Sequence, residues 1–263
     1  MTEVQAQSET QAARGEDKVW LDRVHPADWQ NPRPKDRYHL VVLGGGYGGI
    51  LTALEAARAG ASVALVERDL LGGTCLNAGC ISSKALIRTS RLCADINNLW
   101  HFGAGMPQRE FEVDFSAAME RMRHVRARVS RRHSAQELSE RGIDVFFGNG
   151  RFTRRSTLAV DGQELRFRRA LIATGAHQMV PDIPGLADTG YLTNDTVFAL
   201  KDKPRRLLVI GGGPFGCELA QAFQRFGSQV TIVQNEPFFL HQENAMRRRF
   251  FPKRWRGMES EFI

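Results

Sequence analysis

Two segments of this chain share one pattern, in which a short apolar run turns into a helix-like stretch through closely spaced glycines. The first segment reads YHLVVLGGGYGG from Tyr38, and the second reads RLLVIGGGPFGCELA from Arg206. An apolar run that ends in a tight glycine turn is typical of a buried parallel strand followed by a helix. The repeat therefore predicts an α/β fold with two Rossmann-like, doubly wound dinucleotide-binding units.

The first glycine turn has the spacing Gly44-x-Gly46-x-x-Gly49. In such a turn the first glycine permits the bend, the second lets a pyrophosphate approach the backbone, and the third brings helix and strand together. The free N–H groups at the helix start then face the anion. Glu67 closes the next apolar run, SVALVE, where a carboxylate can accept hydrogen bonds from a ribose. Strand, turn, helix and acid together predict a dinucleotide site.

The second turn repeats the spacing as Gly211-x-Gly213-x-x-Gly216, but the strand QVTIV is followed by Gln234 rather than by an acid. A carboxylate at this position would repel the 2′-phosphate of NADP, so Gln234 removes one obstacle to NADPH. No arginine is evidently placed to bind that phosphate. The site is predicted to bind NAD(P)H, with NADPH slightly favoured.

The stretch GGTCLNAGCISSKAL, Gly72 to Leu86, holds two of the four cysteines. A structural disulfide, a metal site and a redox-active pair are the possible explanations. The N-terminus lacks the apolar core of a secretion signal, which disfavours a disulfide scaffold. A zinc site normally takes about four ligands, and no second Cys/His cluster stands nearby at ligand spacing, so no metal is expected.

A redox-active pair fits the neighbours of Cys75 and Cys80 best. Cys80 lies near a predicted helix start, where the helix dipole favours a thiolate, and Lys84 follows one turn later on the same face. These features favour a dithiol beside a flavin. Cys93 and Cys217 are expected to be small core residues.

The net charge of +7 raises the question of nucleic-acid binding. Residues 245–263 hold six Lys/Arg and two Asp/Glu, so this short tail supplies +4 of the total. A second basic run, residues 121–133, falls in a helical pattern and is expected to be a solvated helix face. No nucleic-acid partner is therefore predicted. DNA binding through the tail stays open as a lesser alternative, which deletion of residues 245–263 would abolish.

No run approaches the roughly 18 apolar residues of a membrane helix. Together with the polar N-terminus, this predicts a cytoplasmic protein without membrane association. Local patterns predict helices over residues 78–96 and 114–141, a hairpin turn at Asp161-Gly162, and a buried strand in RRALIATGA that ends at Gly175.

The cysteine stretch resembles the active-site signature of the FAD-dependent pyridine nucleotide-disulfide oxidoreductases, which include glutathione reductase, dihydrolipoamide dehydrogenase and mercuric reductase. The family's order of motifs recurs from about Tyr38 to Gln242. The segments VHPADWQNPRP and VTIVQNEPFF most resemble bacterial mercuric reductase-like proteins. The match to the family is specific, whereas the match to one substrate is not.

The resemblance implies a path of electrons from NAD(P)H through FAD to a Cys75–Cys80 disulfide. Cys80 would face the flavin, and Cys75 would exchange with substrate. Lys84 would lie near the flavin and pair with Glu218, although an ordinary acid in the first turn of a helix also explains Glu218. Further cofactor contacts implied by the family fall on Gly73, Thr74, Gly150, Thr174 and Gly175.

The chain departs from the family in two respects. Ser82 stands where the family usually has proline, which should alter how the helix starts. The family's chain also continues through an interface domain that supplies a His–Glu pair to the partner subunit of a homodimer. That dimerisation domain is expected to be missing here, along with the cysteine pair with which mercuric reductases bind Hg(II).

Four segments are expected: a lead segment at 1–37, an FAD-binding domain with the dithiol at 38–197, the start of an NAD(P)-binding domain at 198–242, and a tail at 243–263. The tail lacks periodicity where the family would begin a helix. One permitted set of codons, read two bases later, encodes an amphipathic helix there. We therefore expect the tail to be out of frame, and the downstream DNA would decide.

The function predicted from these features is an FAD-dependent, NAD(P)H-linked disulfide oxidoreductase of mercuric reductase-like type. Its substrate would be a small molecule, a metal ion or a disulfide. A dihydrolipoamide dehydrogenase-like enzyme and an inactive, truncated flavin-binding remnant stay open as alternatives.

Overall fold

The computed structural model describes residues 15–104, 112–235, 240 and 261–262. The chain divides into two compact units, Met1–Ser82 with Arg123–Phe198, and Ser83–Met122 with Ala199–Ile263. Residues 83–122 therefore group with the second glycine turn, whereas the sequence placed them with the first. The functional boundaries of the two cofactor domains stay a prediction.

The first unit is built around a six-stranded sheet with helices at its start. Before residue 83, its elements are α1 Glu16–Val24, β1 Tyr38–Leu43, α2 Tyr47–Arg58, β2 Val63–Glu67 and α3 Gly73–Asn77. Its strands after residue 122 are β3 Ile143–Phe147, β4 Arg151–Arg154, β5 Thr157–Val160 and β6 Gln163–Ile172, and they are followed by 3₁₀ turns at Leu186–Thr189 and Val197–Ala199.

The strand order is β3-β2-β1-β6-β5-β4. The first four strands run parallel, with pairs such as Leu40↔Val63 and Leu43↔Ile172, while β4, β5 and β6 form an antiparallel meander. Because β1, β2 and β6 are parallel, their carboxyl ends meet at one edge of the sheet. This is the edge at which ligands bind in open α/β folds.

Strand β2 and the middle of β1 are buried on both faces, which explains why these two strands are apolar almost throughout. Neighbouring residues of one strand enter different hydrophobic clusters: Val41 packs with Phe146, and Val42 packs with Leu65. Val24 of α1 joins the second of these clusters and is fully buried. Helix α1 is thus part of the core.

The predicted long helix over residues 114–141 is wrong, because the chain breaks it in two. Helix α5 spans Phe115–Ser130, a 3₁₀ turn follows at Arg131–His133, and α6 spans Ala135–Glu140. Ser134 has an extended backbone and its hydroxyl accepts a hydrogen bond from the Glu137 N–H at 3.1 Å, which starts a new helix. The S-x-x-E pattern of a capping box was the overlooked signal.

Other local predictions agree with the structure more closely. The helix expected at 78–96 is α4, Cys80–Asn97. The hairpin turn is confirmed, since Asp161 and Gly162 both have positive φ, 46° and 74°, as a type I′ turn requires. The expectation that RRALIATGA is a buried strand ending at Gly175 is wrong, because β6 ends at Ile172 and its last five residues are exposed except for the half-buried Leu171.

The second unit contains most of α4 and a three-stranded parallel sheet, with a 3₁₀ turn at Leu99–Phe102. Its other elements are β7 Arg206–Ile210, α7 Pro214–Arg225, β8 Gln229–Val233 and β9 Glu261–Phe262, in the order β7-β8-β9. Phe115 packs against Phe223 and Phe226, with ring centroids 5.8 Å apart in each pair. The predicted out-of-frame tail lies outside the described residues, apart from 261–262.

In the part of the chain that the structure describes, no helix combines the length and the apolar character needed to cross a membrane.

Tyr38 illustrates how the lead segment is tied to the sheet. Its fully buried hydroxyl donates to Asp144 Oδ2 at 2.7 Å, and Lys35 Nζ lies 3.0 Å from the same oxygen. Burial raises the pKa of Tyr38 well above its ordinary value; the hydrogen bond from the Lys35 N–H lowers it in part, and Asp144 adds smaller increases. Tyr38 therefore stays protonated in the folded protein at pH values where an exposed tyrosine ionises.

Replacing Tyr38 with phenylalanine is expected to flatten the loss of stability at alkaline pH. The unfolded chain ionises first, near pH 10, so the wild-type free energy of unfolding falls as the pH rises above about 10 toward the higher folded-state pKa. Below the unfolded-state pKa this contribution is complete. Urea unfolding between about pH 9 and pH 11 measures the slope. The exposed Tyr191 provides the control Tyr191→Phe. Equal slopes for Tyr38→Phe and wild type would contradict the assignment.

Candidate dinucleotide and dithiol site

The first glycine turn has a geometry that only glycine permits at two positions. Gly44 has φ 111°, and a Cβ on it would overlap the Ala173 carbonyl oxygen. A Cβ on Gly49 would overlap the carbonyl oxygen of Gly44. A Cβ on Gly46, the residue before α2, would make an ordinary van der Waals contact with Gly73 Cα at 3.8 Å. The turn therefore brings the start of α2, with its free N–H groups, close to the end of β1.

Glu67 lies at the end of β2 beside this turn. Its Oε2 accepts a hydrogen bond from the Gly45 N–H at 2.6 Å, and its Oε1 accepts one from the Asp69 N–H at 2.9 Å. These bonds fix the carboxylate next to the glycine backbone. Each oxygen has a further lone pair with which it can accept from a hydroxyl group.

The dithiol segment packs directly on the glycine turn. The Gly72 N–H donates to the Gly45 carbonyl at 2.8 Å, and a Cβ on Gly73 would come within 2.7 Å of Gly46 Cα. Gly72 and Gly73 both have positive φ, 93° and 56°. This contact was not predicted from the sequence, although two adjacent glycines ahead of a cysteine were a signal for it.

The two cysteines of the segment occupy different helices. Cys75 lies in α3 and is half-buried, while Cys80 begins α4 and is exposed. Ser82, at the family's proline position, lies in the first turn of α4. Its side chain is fully buried, and its hydroxyl has no hydrogen-bond partner among the described residues. The effect of serine in place of proline on the helix start stays a prediction.

The segment after β6 also abuts the first turn. The Ala173 N–H donates to the Leu43 carbonyl at 2.8 Å, so Thr174 and Gly175 follow β6 beside the glycines. Gly175 has φ 68°. At Gly150, a Cβ would come within 2.5 Å of Leu43 Cδ1, so close packing explains this glycine whether or not a nucleotide lies near it.

The second unit repeats the geometry of the first turn. Gly211 has φ 112°, and a Cβ on Gly216 would overlap the Gly211 carbonyl oxygen. The Gly211 N–H donates to the Val233 carbonyl at 2.7 Å, and Gly213 precedes α7. Gln234 directly follows β8, as Glu67 ends β2. The two units therefore share the turn and differ in the polar group at the strand end.

Lys84 and Glu218 form an ion pair within the second unit. Lys84 Nζ donates to both carboxylate oxygens, at 2.7 and 2.6 Å. The side chains are 58% and 34% exposed, so water screens the pair and its contribution to stability is small. Its effect is to hold the Lys84 ammonium in one orientation on the helix that Cys80 begins.

The remaining cysteines are both buried, as expected of core residues. The Cys217 thiol donates to the Gly212 carbonyl at 3.5 Å, and burial, with a smaller effect of Glu218, raises its pKa to about 11. Burial also raises the pKa of Cys93. Since the thiolate is the reactive form, both side chains are protected from oxidation and alkylation. Among the described residues, no group of three or more His, Cys, Asp or Glu could hold a metal ion.

Asn77, at the end of α3, was not singled out from the sequence. Its Nδ2 donates to the Leu70 and Leu71 carbonyls at 3.2 and 3.1 Å, and its Oδ1 accepts from the Trp20 indole at 3.0 Å. A polar residue two positions after Cys75 was the available signal.

Comparison with known proteins places these features in a family. The model of the pyridine nucleotide-disulphide oxidoreductase family matches residues 38–256. A mercuric reductase of Bacillus cereus is 33% identical over 207 residues, which are 78% of this chain and 32% of that protein. For a mercuric reductase of Shigella flexneri the identity is 38% over 217 residues, 79% of this chain and 38% of that protein.

A dihydrolipoyl dehydrogenase of Acholeplasma laidlawii is 33% identical over 201 residues, 75% of this chain and 59% of that protein. Among solved structures, a Cu(II) complex of a mutant of the HOCl-induced flavoprotein disulfide reductase RclA from Escherichia coli superposes with a TM-score of 0.73 at 29% identity. The match covers 87% of this chain and 49% of that one. The chain thus spans only part of the length of its relatives, and it belongs to the pyridine nucleotide-disulphide oxidoreductase family of NAD(P)H-dependent flavin enzymes.

Proposed function

We propose that this chain carries the flavin-binding and dithiol portion of an NAD(P)H-dependent disulfide oxidoreductase of mercuric reductase-like type. The observation that carries the proposal is the packing of the dithiol segment on the first glycine turn, through the Gly72–Gly45 hydrogen bond and the close approach of Gly73 to Gly46. A group bound at that turn would lie next to Cys75 and Cys80.

The residues around the turn fit the adenine dinucleotide portion of FAD. The backbone at Gly46 and the start of α2 would hold the pyrophosphate, and Glu67 would accept hydrogen bonds from ribose hydroxyls. Thr74, Thr174 and Gly175 would line the same cofactor. When bound, FAD supplies two-electron transfer between a nicotinamide and a disulfide.

Residues of this chain would then carry out the disulfide exchange and place a charge beside it. Cys80 would face the cofactor, and Cys75 would attack a substrate disulfide or bind a thiophilic metal ion. Attack by the Cys75 thiolate forms a mixed disulfide and releases the substrate's other sulfur as a thiolate. The Cys80 thiolate would then attack Cys75 Sγ of the mixed disulfide, which closes the Cys75–Cys80 disulfide, breaks the bond to substrate and releases its remaining sulfur as a second thiolate. Lys84, held by Glu218, would place a positive charge near the reacting groups.

The second glycine turn, Gly211 to Gly216, would bind the nicotinamide cofactor. We propose NADPH as the preferred donor, because Gln234 stands where an acid would repel a 2′-phosphate. The cytoplasm, where thiols are kept reduced, is the proposed location, and a homodimer is the proposed assembly of the whole protein. Comparing initial rates with NADPH and NADH tests the cofactor preference.

Hg(II) is the first proposed substrate, since most of the curated relatives described above are mercuric reductases. Lipoamide is the second, because the dihydrolipoyl dehydrogenase is 33% identical to this chain, as is the mercuric reductase of Bacillus cereus. NADPH oxidation with Hg(II) and with lipoamide distinguishes them. A protein that binds flavin but oxidises NADPH with neither would favour the inactive-remnant alternative.

The dithiol itself can be tested without any substrate. Mild oxidation with diamide is expected to form one intramolecular disulfide between Cys75 and Cys80, while the buried Cys93 and Cys217 stay reduced because burial raises the pKa of each. Peptide mass spectrometry after alkylation identifies the pair. Visible absorbance of the purified protein reports the bound flavin.

Two outcomes would contradict the proposal. Oxidation that spreads evenly over all four cysteines would show that Cys75 and Cys80 are not a specific redox pair. A folded protein that takes up no FAD in equilibrium dialysis would show that the first turn is not a flavin site.

A further inference from the structure

Helix α1 makes hydrogen bonds both to the chain just ahead of α3 and to the last residue of α3, the short helix that carries Cys75. Ahead of α3, the Leu71 N–H donates to the Val24 carbonyl of α1 at 3.1 Å. At the end of α3, the indole N–H of Trp20 donates to Asn77 Oδ1 at 3.0 Å. All of these residues belong to the first unit.

Helix α3 depends on such contacts because it is only five residues long. Isolated helices shorter than about 12 residues are marginal in water, so tertiary neighbours decide whether this one forms and where it lies. Leu71 and Leu76, which flank Cys75, are buried in the same cluster as Val24 of α1. Asn77 joins the two ends of α3 by donating to the Leu71 carbonyl.

Trp20 is itself held in place by a buried cation. The Arg126 guanidinium lies 3.9 Å from the centre of a Trp20 ring and donates to Asp17 Oδ1 at 2.6 Å. Arg126 is only 6% exposed, and its Nη1 also lies 3.5 Å from the Asn77 carbonyl oxygen. Burial lowers the pKa of Arg126, and the Asp17 charge opposes that shift. The indole therefore has one well-determined orientation.

We propose that Trp20 is a positioning residue for the dithiol, and that its indole N–H, braced by Arg126, holds Asn77 and so keeps the Cys75 thiol half-buried. Helix α1 would then contribute to the reaction by positioning Cys75, although none of its residues touches a thiol in the proposed reaction. This inference rests on the proposed function of Cys75, but its test requires neither flavin nor NADPH.

Trp20→Phe removes the indole N–H and keeps an aromatic ring beside Arg126. In the reduced protein, the rate of iodoacetamide alkylation of Cys75 relative to Cys80 is expected to rise about threefold to tenfold, the effect of losing one hydrogen bond. Cys80 is already exposed and serves as the internal reference. Peptide mass spectrometry at several reaction times measures both rates in one sample, and an unchanged ratio would overturn the proposal.

Trp29→Phe is the matched control. Trp29 also belongs to the lead segment, also packs on the core, and donates its indole N–H to the Val145 carbonyl at 3.3 Å, away from α3. The alkylation ratio is expected to stay at the wild-type value. A rise equal to that of Trp20→Phe would show a general loosening of the lead segment and would also overturn the proposal.

A double-mutant cycle tests whether Trp20 acts through Asn77. Asn77→Ala alone should raise the ratio, and Trp20→Phe should add nothing in that background, whereas additive effects would exclude this route. If Trp20→Phe does not fold, Asp17→Asn weakens the brace at a partly exposed position and should raise the same ratio. A constant ratio in folded Asp17→Asn would then count against the proposal.

The two proposals fail in different ways. If diamide forms no Cys75–Cys80 disulfide, the proposed function fails whatever the alkylation ratio does. If the disulfide forms but Trp20→Phe leaves the ratio unchanged, only the positioning role of Trp20 fails.

Discussion

Urea denaturation of Gly49→Ala is expected to show a loss of roughly 3 kcal/mol or more in the free energy of unfolding. A methyl group on Gly49 would overlap the Gly44 carbonyl oxygen and would approach Val42 Cγ1 within 3.2 Å. Gly44 cannot retreat, because its own φ of 111° and its contact with Ala173 fix it. The strain therefore passes to β1, where Val41 and Val42 are fully buried.

The neighbouring residue provides the control. Gly48 lies in the same helix and is exposed, with nothing within 4 Å of the point where its Cβ would lie. Gly48→Ala is expected to leave stability unchanged or to raise it by up to about 1 kcal/mol, because alanine is the better helix former. Equal changes in the free energy of unfolding for the two variants would show that the close approach of helix and strand at Gly49 does not determine the stability of this turn.

The largest functional effect is expected at the dithiol. In preparations that reduce a small disulfide at the expense of NADPH, Cys75→Ser or Cys80→Ser should each lower the rate by roughly a thousandfold or more. A hydroxyl is not a nucleophile for disulfide exchange at neutral pH, and one remaining thiol cannot close the ring that releases product. Steady-state NADPH oxidation measures the loss.

Cys93→Ala is the control for this experiment. Cys93 is 4% exposed and packs as a small apolar residue, so its replacement by alanine should change the rate by less than about twofold. The oxidised protein offers a second comparison, because Cys75→Ser should no longer form the diamide-induced disulfide. Substantial activity in either serine variant would contradict the assignment of the redox pair.

The parts of the fold that followed from the sequence are those that depend on local sterics. The glycine turns, the Asp161-Gly162 hairpin and the apolar strands each impose their conformation through a few neighbouring residues. Where one short-range signal was overlooked, at Ser134, a single predicted helix turned out to be two. Such errors concern boundaries and leave the order of elements intact.

The contacts that shape the candidate site were less accessible, since they join residues far apart in the chain. Nothing within the lead segment indicates that Trp20 meets Asn77, which follows it by 57 residues. The packing of Gly73 on Gly46 likewise becomes visible only when the strands are assembled. The Lys84–Glu218 pairing was reached through the family resemblance, because the spacing of the two residues carries no physical signal of its own.

The topology of the first unit also governs the order in which it can form. Strand β1 pairs with β6 along Tyr38↔Phe167 to Leu43↔Ile172, so the centre of the sheet joins the beginning of the unit to a strand made much later. During synthesis, one edge of β1 stays unpaired until β6 leaves the ribosome. Until then the apolar surface of β1 is incompletely covered. If the nascent chain were released before residue 172, β1 would therefore remain an unpaired edge strand that can pair with other chains.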